Sequence, residues 1–249
     1  MRYTPGYQKE TAQFLNHSAI RKAHRWLGIV AAIQLLIWTG SGLFFSIIPI
    51  EKIRGSHLIE QPPIFRLGHV KVLSPNVLAR QYQELSAIGL DQIQLNQRLN
   101  TPVYIIRIDD RWLVFNAVTA KQLSTLTERE ARAIAAKSTN LAVRSATWVT
   151  AIKPGSEYRG GELPAWKLSL DSIARANLWI GAYSGQVTAV RTSQWRIYDF
   201  LWSLHIMDYV DRDNFNSWLL RAFALLGLST ILSGIILFIL RLRLKKRSS

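Results

Sequence analysis

The organisation of this chain is decided by the stretch WRIYDFLWSLHIMDY, which covers residues 195–209. As an α-helix, it places five residues on one face at alternating spacings of three and four: Trp195, Tyr198, Trp202, His205 and Tyr209. Rings with an apolar body and a polar tip are typical of the boundary between hydrocarbon and water. Since a β-rich middle precedes it and an apolar run follows, residues 194–217 are predicted to form an interfacial aromatic helix and turn.

Two apolar runs, residues 24–49 and 218–240, are long enough to cross a bilayer, which takes about 20 residues. Lys and Arg cluster on the outer flanks, in the N-terminal segment 1–23, which shows no clear fold, and in the basic tail 241–249. Basic flanks stay on the cytoplasmic side of a membrane. The sequence therefore predicts a two-pass protein of the bacterial cytoplasmic (inner) membrane, in contact with lipid, with both termini inside and residues 50–193 in the periplasm.

The formal net charge is +15 over 249 residues, and most of the excess lies at the two ends. No nucleic-acid-binding motif accompanies it, so membrane topology explains the charge and no nucleic-acid partner is expected. The chain has no cysteine, which excludes disulfides, thiolate zinc sites, iron–sulfur clusters and covalently attached c-type haem. Histidine is then the main soft ligand, and there are five: His17, His24, His57, His69 and His205.

No nucleophile–base arrangement or phosphate loop is recognisable, so no catalytic residue is assigned. Asp208, Asp211, Asp213 and Asn214 form a loose oxygen-rich cluster before the second run. It lacks the Gly and the distal Glu of a calcium loop, so we interpret it as a solvated turn and expect no metal site.

The middle of the chain alternates helical and strand patterns. Ser74 and Pro75 predict a helix over 74–86, and Thr127 the start of a second one. Strands are predicted at 103–108, 111–118, 146–152, 165–170, 177–182 and 186–191. The similarity of 101–123 to 163–187 predicts two repeats, about 65 residues apart, each a helix followed by antiparallel strands. The predicted fold class is an α+β membrane protein, two transmembrane helices flanking this double domain.

Several segments resemble motifs of the PepSY-associated transmembrane (PepSY-TM) family of PepSY domain-containing membrane proteins. They are RKAHRWLG (21–28) with SGL (41–43), YRGGELPAW (158–166), SGQV (184–187), and Trp195 with Leu204-His205 and Asp208-Tyr209. The resemblance covers roughly residues 17–240 and implies that the two repeats are PepSY domains. Larger members of the family are thought to bind b-type haem and reduce iron–siderophore complexes, others are fused to flavin reductases, and isolated PepSY modules resemble protease-inhibiting propeptides.

The resemblance implies that His24 and His205 are candidate ligands of haem b. The alternatives are an interfacial histidine among basic residues for His24, and a belt residue bonded to Asp208 or a carbonyl for His205. His17 is a third candidate, but it lies two turns from His24, roughly 10 Å, so the two cannot hold one iron. A hydrocarbon core of about 30 Å separates His24 from His205, so two-histidine ligation requires a second copy, a partner protein, or a loop ligand such as His57 or His69.

Each apolar run carries a Ser-Gly pair, Ser41-Gly42 and Ser233-Gly234. Small residues let helices approach closely. In antiparallel spans the two pairs fall at different depths, so each is expected to receive a partner helix or a haem edge. A homo-oligomer or a complex with other membrane subunits is therefore expected.

Two functional hypotheses follow. In the first, the chain is an accessory or haem-binding subunit in transmembrane electron transfer, with ferric siderophore as a candidate substrate. With two spans and no flavin or nicotinamide motif, it is not a self-sufficient oxidoreductase. In the alternative, it is a non-enzymatic periplasmic module that holds or regulates a protease or a membrane-complex partner.

Overall fold

The structure is a computed structural model that describes residues 6–60, 68, 70–109 and 111–247. It is an α+β protein. Two long apolar helices are the first and last elements of the chain, and two antiparallel sheets come between them in the sequence. The chain divides into two compact units. The helical unit comprises Met1–Ile47 and Asp199–Ser249, and the sheet unit comprises Ile48–Tyr198.

Helices α1 (Gly6–Ile47) and α6 (Trp218–Arg247) dominate the helical unit. Within them, Ala19–Ile47 and Trp218–Leu242 are long and apolar enough to cross a membrane, by length and composition. The interpretation of 1–23 as a segment without a clear fold is wrong from Gly6 onward, because residues such as Gln, Glu, Lys and Ala extend the helix. His17 therefore lies on the same helix as His24, although its side chain is outside the described part.

Helix α1 packs along α6. On α6 one row of partly buried positions has spacings of four and three: Leu219, Phe223, Leu226, Thr230, Ser233 and Leu237. A repeat of four and three residues keeps one stripe of a helix facing a neighbouring helix, and we call this line of contact between α1 and α6 the seam. It places Ser233 at the seam, where a side chain from α1 can reach it.

Helix α5 spans Ser193–Ile206. Met207, with φ of 54°, ends it in the left-handed conformation typical of a helix C-terminus. Trp195, Tyr198, Trp202 and His205 therefore lie on the helix as predicted, whereas Tyr209 lies beyond it and is not part of the helical face.

The sheet unit contains the short helices α2 (Ile50–Ile53), α3 (Pro75–Gln81) and α4 (Glu128–Ser138). Its first sheet has the order β1-β2-β3 and its second the order β4-β5-β6-β7, with antiparallel pairing throughout. The strands are β1 (Ile93–Arg98), β2 (Thr101–Ile108), β3 (Arg111–Asn116), β4 (Val143–Val149), β5 (Ala165–Leu170), β6 (Asn177–Gly181) and β7 (Val187–Arg191).

Local signals explain the helix starts. The Ser74 side chain accepts a hydrogen bond from the N–H of Asn76, with Pro75 at the first helical position. Thr127 and Glu130 form a reciprocal capping box at the start of α4. Helix α3 ends at Gln81, earlier than residue 86, where the sequence predicted its end.

The two sheets contain the same turn. Three backbone hydrogen bonds in the turn after β3 recur in the turn after β6: Asn116 N to Lys121 O with Gly181 N to Gln186 O, Ala117 N to Pro102 O with Ala182 N to Pro164 O, and Ala120 N to Asn116 O with Gly185 N to Gly181 O. Ala120 and Gly185 both have positive φ, at 58° and 71°. The similarity in sequence therefore corresponds to a repeated local structure.

One face of each sheet is covered by a helix, α3 on the first sheet and α4 on the second. Leu78 of α3 packs with Phe115 on the first sheet, and Ile134 of α4 packs with Leu168 and Leu178 on the second. Arg98, at the end of β1, is buried and donates from Nη1 to the carbonyl of Ser124 at 2.6 Å. The arginine thus ties the first repeat to the segment that leads into the second.

Candidate functional site

His24 and Ser233 share a hydrogen bond of 2.7 Å between Nδ1 and Oγ. The Ser233 hydroxyl donates its one proton to the carbonyl of Thr230 at 2.8 Å, so it accepts from the Nδ1–H of His24. The ring lies against Gly234, where a Cβ would come within 3.2 Å of His24 Cε1. The pair Ser233-Gly234 therefore forms a small seat for one imidazole.

The second Ser-Gly pair receives His205 in the same way. His205 Nδ1 lies 2.8 Å from Ser41 Oγ, whose hydroxyl donates to the carbonyl of Ile37 at 2.8 Å. Trp38 Nε1 donates to the backbone carbonyl of His205 at 2.8 Å. Gly42 stands beside the ring, since a Cβ there would lie 4.0 Å from Cε1.

Three aromatic rings enclose His205. The Trp202 ring is nearly parallel to the imidazole at 6.3 Å between centroids, Phe45 presents its edge at 5.5 Å, and Trp38 lies at 6.2 Å. Of the aromatic face predicted around residues 195–209, only Trp202 is among these three rings. The other two rings, Trp38 and Phe45, belong to α1. No local sequence pattern indicates that they contact His205.

These contacts favour the same tautomer for both histidines. With each serine hydroxyl donating to a backbone carbonyl, each histidine donates its Nδ1–H to the serine, and the neutral imidazole then carries its lone pair on Nε2. Among the residues that the structure describes, neither Nε2 has a hydrogen-bond partner. A histidine held by Nδ1–H with Nε2 available is the arrangement that metal-ligating histidines show.

The two sites are separate within one chain. Ser41 follows His24 by 17 positions on one continuous helix, which corresponds to roughly 25 Å along its axis. Each site therefore supplies a single imidazole, as expected from the sequence. The two Ser-Gly pairs do not face each other, and each holds a histidine rather than a partner helix.

Gln34 lies on α1 between the two sites. Its Nε2 is buried and has no hydrogen-bond partner among the described residues. An unsatisfied amide donor away from water costs free energy, and more so in hydrocarbon. No described residue therefore supplies a hydrogen-bond acceptor for the Gln34 amide.

Asp208 organises the turn between α5 and α6 rather than binding His205. Its carboxylate accepts four backbone N–H groups, from Val210, Asp211, Asp213 and Asn214. Burial raises the pKa of Asp208, but these four donors outweigh it and hold the pKa below its ordinary value. Both oxygens are therefore engaged, which favours the interpretation as a turn over a calcium loop.

In the described part of the chain, no group of three or more His, Asp and Glu side chains is placed to hold a metal ion. An ion pair that the sequence analysis missed joins Arg212 to the buried Asp199 at 2.6 Å, and closes the same turn. Its sequence signal is limited to an acid within a helix of mainly apolar and aromatic residues.

The remaining predicted residues lie elsewhere. Trp195 is in the sheet unit, where the guanidinium groups of Arg191 and Arg159 lie 4.4 Å and 5.6 Å from its ring. His57 is exposed in the sheet unit, and His69 is outside the described residues. Tyr209 is exposed, and Tyr198 is half-buried on α5.

Comparison of the chain with protein-family models, with curated proteins and with solved structures gives no match. The two histidine sites and the sequence motifs quoted above are therefore the features of the chain that indicate a function.

Proposed function

We propose that this protein is a two-pass subunit of the bacterial cytoplasmic membrane that binds haem b and takes part in transmembrane electron transfer. The observation that carries the proposal is the pair of histidines His24 and His205, each held through Nδ1–H by a serine and each with an available Nε2. Haem iron is commonly held by histidine nitrogen. The donor set of both sites suits that iron.

The membrane placement is supported by the exposure of the two candidate spans. Large apolar side chains such as Leu36 and Phe238 are 74% and 63% exposed, which suits lipid and not water. The basic flanks favour an orientation with both termini in the cytoplasm and the sheet unit in the periplasm. In this placement His24 lies towards the cytoplasmic face and His205 towards the periplasmic face.

The residues of the chain have distinct roles in this proposal. Ser41 and Ser233 fix the tautomer and the orientation of the two imidazoles, and Gly42 and Gly234 leave room beside each ring. The rings around His205 pack against the imidazole and restrict its orientation. A bound haem would supply one-electron chemistry by cycling its iron between the ferric and ferrous states.

In this proposal a second copy of the chain would supply the second histidine at each site. A two-fold axis along the membrane normal would place like sites at the same depth, where a histidine and its symmetry mate can be brought together. The chain then acts as an accessory subunit, and ferric siderophore is the proposed terminal acceptor at the periplasmic face.

The test is the visible spectrum of the full chain, purified in detergent with its co-purifying partners. We expect a Soret band and haem b in a pyridine haemochrome assay, both reduced in His24→Ala and in His205→Ala. His57→Ala is the matched control, because it changes an exposed histidine outside both sites. Absence of haem from the wild-type protein, or equal haem content in all variants, would refute the proposal.

The second candidate is a non-enzymatic module that holds a periplasmic partner. It is favoured by a groove of about 500 Å³ on the first sheet, which is lined by residues that include Gln94, Arg107 and Trp112. This candidate predicts that His24→Ala and His205→Ala leave function intact. Substitutions at the groove would abolish function in that case.

A further inference from the structure

Helix α5 has the reverse of the polarity that water favours. Ile197 and Phe200 are both more than half exposed, and Leu204 continues the same side of the helix at spacings of three and four. The polar side chains of Asp199 and Ser203 are buried instead. A surface helix in water buries its apolar stripe and exposes its polar one. The exposed stripe of α5 is therefore suited to an apolar neighbour.

A further exposed apolar side chain lies in the turn between β5 and β6, residues 171–176. Ile173 in this turn is fully exposed. The turn is bound to the first residue of α5, because the N–H and the hydroxyl of Ser193 both donate to the carbonyl of Ala174, at 2.8 Å and 3.1 Å. Ile197 lies one helical turn after Ser193 on the same side of α5. Ile173 therefore extends the apolar surface that begins at Ile197.

This end of the sheet unit is also the end at which the chain connects to its two candidate spans. The first span ends at Ile47, and Gly55 lies against the residues that precede α5: a Cβ on Gly55 would be 2.8 Å from Val190 Cγ1 and 3.5 Å from Thr192 Cγ2. Eight residues reach at most about 29 Å, and the helix α2 within them shortens that distance. Helix α5 leads in turn to the second span. With the spans in a bilayer, the turn that carries Ile173 is close to its outer surface.

Exposed cations accompany the apolar side chains. In segments 50–55 and 171–176, the cations without an ion pair among the described residues are Lys52, Arg54 and Arg175. The acids of these segments are Glu51 and Asp171, and Arg144 already binds Asp171 at 2.6 Å. Apolar side chains beside free cations are the combination that binds an anionic lipid surface, because the former enter the acyl chains and the latter pair with phosphates.

We propose that this end of the sheet unit docks on the outer leaflet of the bilayer. Ile173 inserts at the boundary between headgroups and acyl chains, and Lys52, Arg54 and Arg175 bind the phosphates of anionic phospholipid. Docking holds the sheet unit in one orientation on the membrane, so that it does not turn freely about its two connections. The inference rests on the membrane placement proposed above and is independent of haem binding.

The first measurement uses the absence of cysteine from the chain. Single-cysteine variants of the full chain, one molecule in each nanodisc of phosphatidylcholine and phosphatidylglycerol, are treated with a cationic methanethiosulfonate reagent. Ile173→Cys should react at least about tenfold more slowly than Gln186→Cys, because a thiol among acyl chains neither ionises nor meets the reagent. Gln186 is the matched control, since it is exposed in the turn after β6, at the opposite end of the same sheet.

The second measurement identifies what covers position 173. A bimane label on the Ile173→Cys variant should be quenched by phospholipid that carries a nitroxide near the headgroup end of its acyl chain, whereas the label on Gln186→Cys should not. A label on Leu36→Cys tests the membrane placement itself, because Leu36 is an exposed residue of the first span. Quenching at position 36 without quenching at 173 would refute the docking alone. No quenching at position 36 would refute the placement and the docking with it.

The third measurement tests the cations through lipid composition. Removal of one cation near an anionic surface should weaken docking by about fivefold. Arg175→Gln should therefore accelerate the reaction of the Ile173→Cys variant about fivefold in discs with phosphatidylglycerol, and change it little in discs of phosphatidylcholine alone. Arg129→Gln is the matched control, because Arg129 is exposed on α4, and Leu126 just before this helix bonds to Ala182, at the opposite end of the sheet. Equal reaction rates at positions 173 and 186, or equal effects of the two arginine substitutions, would overturn the proposal.

Discussion

The repeated turn makes a prediction that tests the duplication of the sheet unit directly. After β3, the side chain of Asn116 accepts the N–H groups of Val118 and Thr119 at 2.8 Å and 3.0 Å. After β6, the corresponding residue is Gly181, which has no side chain. There, Glu162 accepts the N–H groups of Tyr183 and of Ser184, the latter at 3.0 Å.

The perturbation replaces the Glu162 carboxylate, which accepts the turn amides after β6, by an asparagine side chain like that of Asn116. A Cβ at Gly181 would overlap the Glu162 carboxylate, so Gly181→Asn alone displaces the acceptor. Glu162→Ala alone leaves the two amides of the turn without their acceptor. In the double variant, the new asparagine occupies the space that the carboxylate leaves, and the Ser184 hydroxyl, 2.7 Å from the added Cβ, rotates away. The asparagine then accepts both amides, as Asn116 does in the first sheet.

The magnitudes follow from burial. Glu162 is only 6% exposed, so water cannot readily replace it. Hydrogen bonds to charged groups contribute about 1.5–3 kcal/mol each, and each single substitution disrupts the same two bonds and should therefore cost about 3 kcal/mol. The double variant should cost about 1 kcal/mol, because neutral hydrogen bonds replace charged ones, which corresponds to a coupling energy of about 5 kcal/mol.

The assay is chemical denaturation of the full chain in detergent, followed by near-UV circular dichroism, which detects the stacked Tyr158 and Trp179 in the sheet unit. Asn116→Ala is the companion variant, expected to cost less because its turn amides are exposed. Additive losses in the double variant would show that the two turns are not equivalent, and the reasoning would fail.

Three further predictions concern the helical unit. Ser233→Ala removes the acceptor of the His24 Nδ1–H and should lower the free energy of unfolding by about 1 kcal/mol, whereas Ser229→Ala on the exposed side of α6 should not change it. Since the pKa of Asp208 is depressed in the folded state, its stabilising effect is present above its unfolded pKa of about 3.9 and is lost as the pH falls through the folded value. Thermal denaturation between about pH 6 and pH 3 should therefore show a smaller loss of stability in Asp208→Asn than in the wild type. Arg212→Met removes the cation paired with the buried Asp199 and should cost about 3 kcal/mol in the same assay; an unchanged midpoint would contradict this.

Features with a local signal could be predicted from the sequence. The two apolar runs, the helix starts at Ser74 and Thr127, and the strand over 165–170 depend on composition or on short spacing, and the structure has all of them. The membrane itself, the PepSY identity and haem binding remain predictions.

Features without a local signal could not be predicted. Strand β1, with the sequence IQLNQR, is rich in polar side chains, so hydrophobic alternation does not mark it. The hydrogen bonds of the two histidines join residues 209 and 164 positions apart. A pattern of Ser-Gly indicates only close approach, and the identity of the side chain that approaches depends on packing across the whole unit.

The two histidine seats also restrict how this chain can change in length. His24 and Ser41 both belong to α1, and each residue inserted between them turns one end by about 100° relative to the other. One inserted residue would leave a histidine facing its serine at one end only. An insertion of seven residues restores the orientation to within about 20°, but it moves the seats roughly 10 Å further apart. The segment between these two residues should therefore vary in composition and resist insertions and deletions.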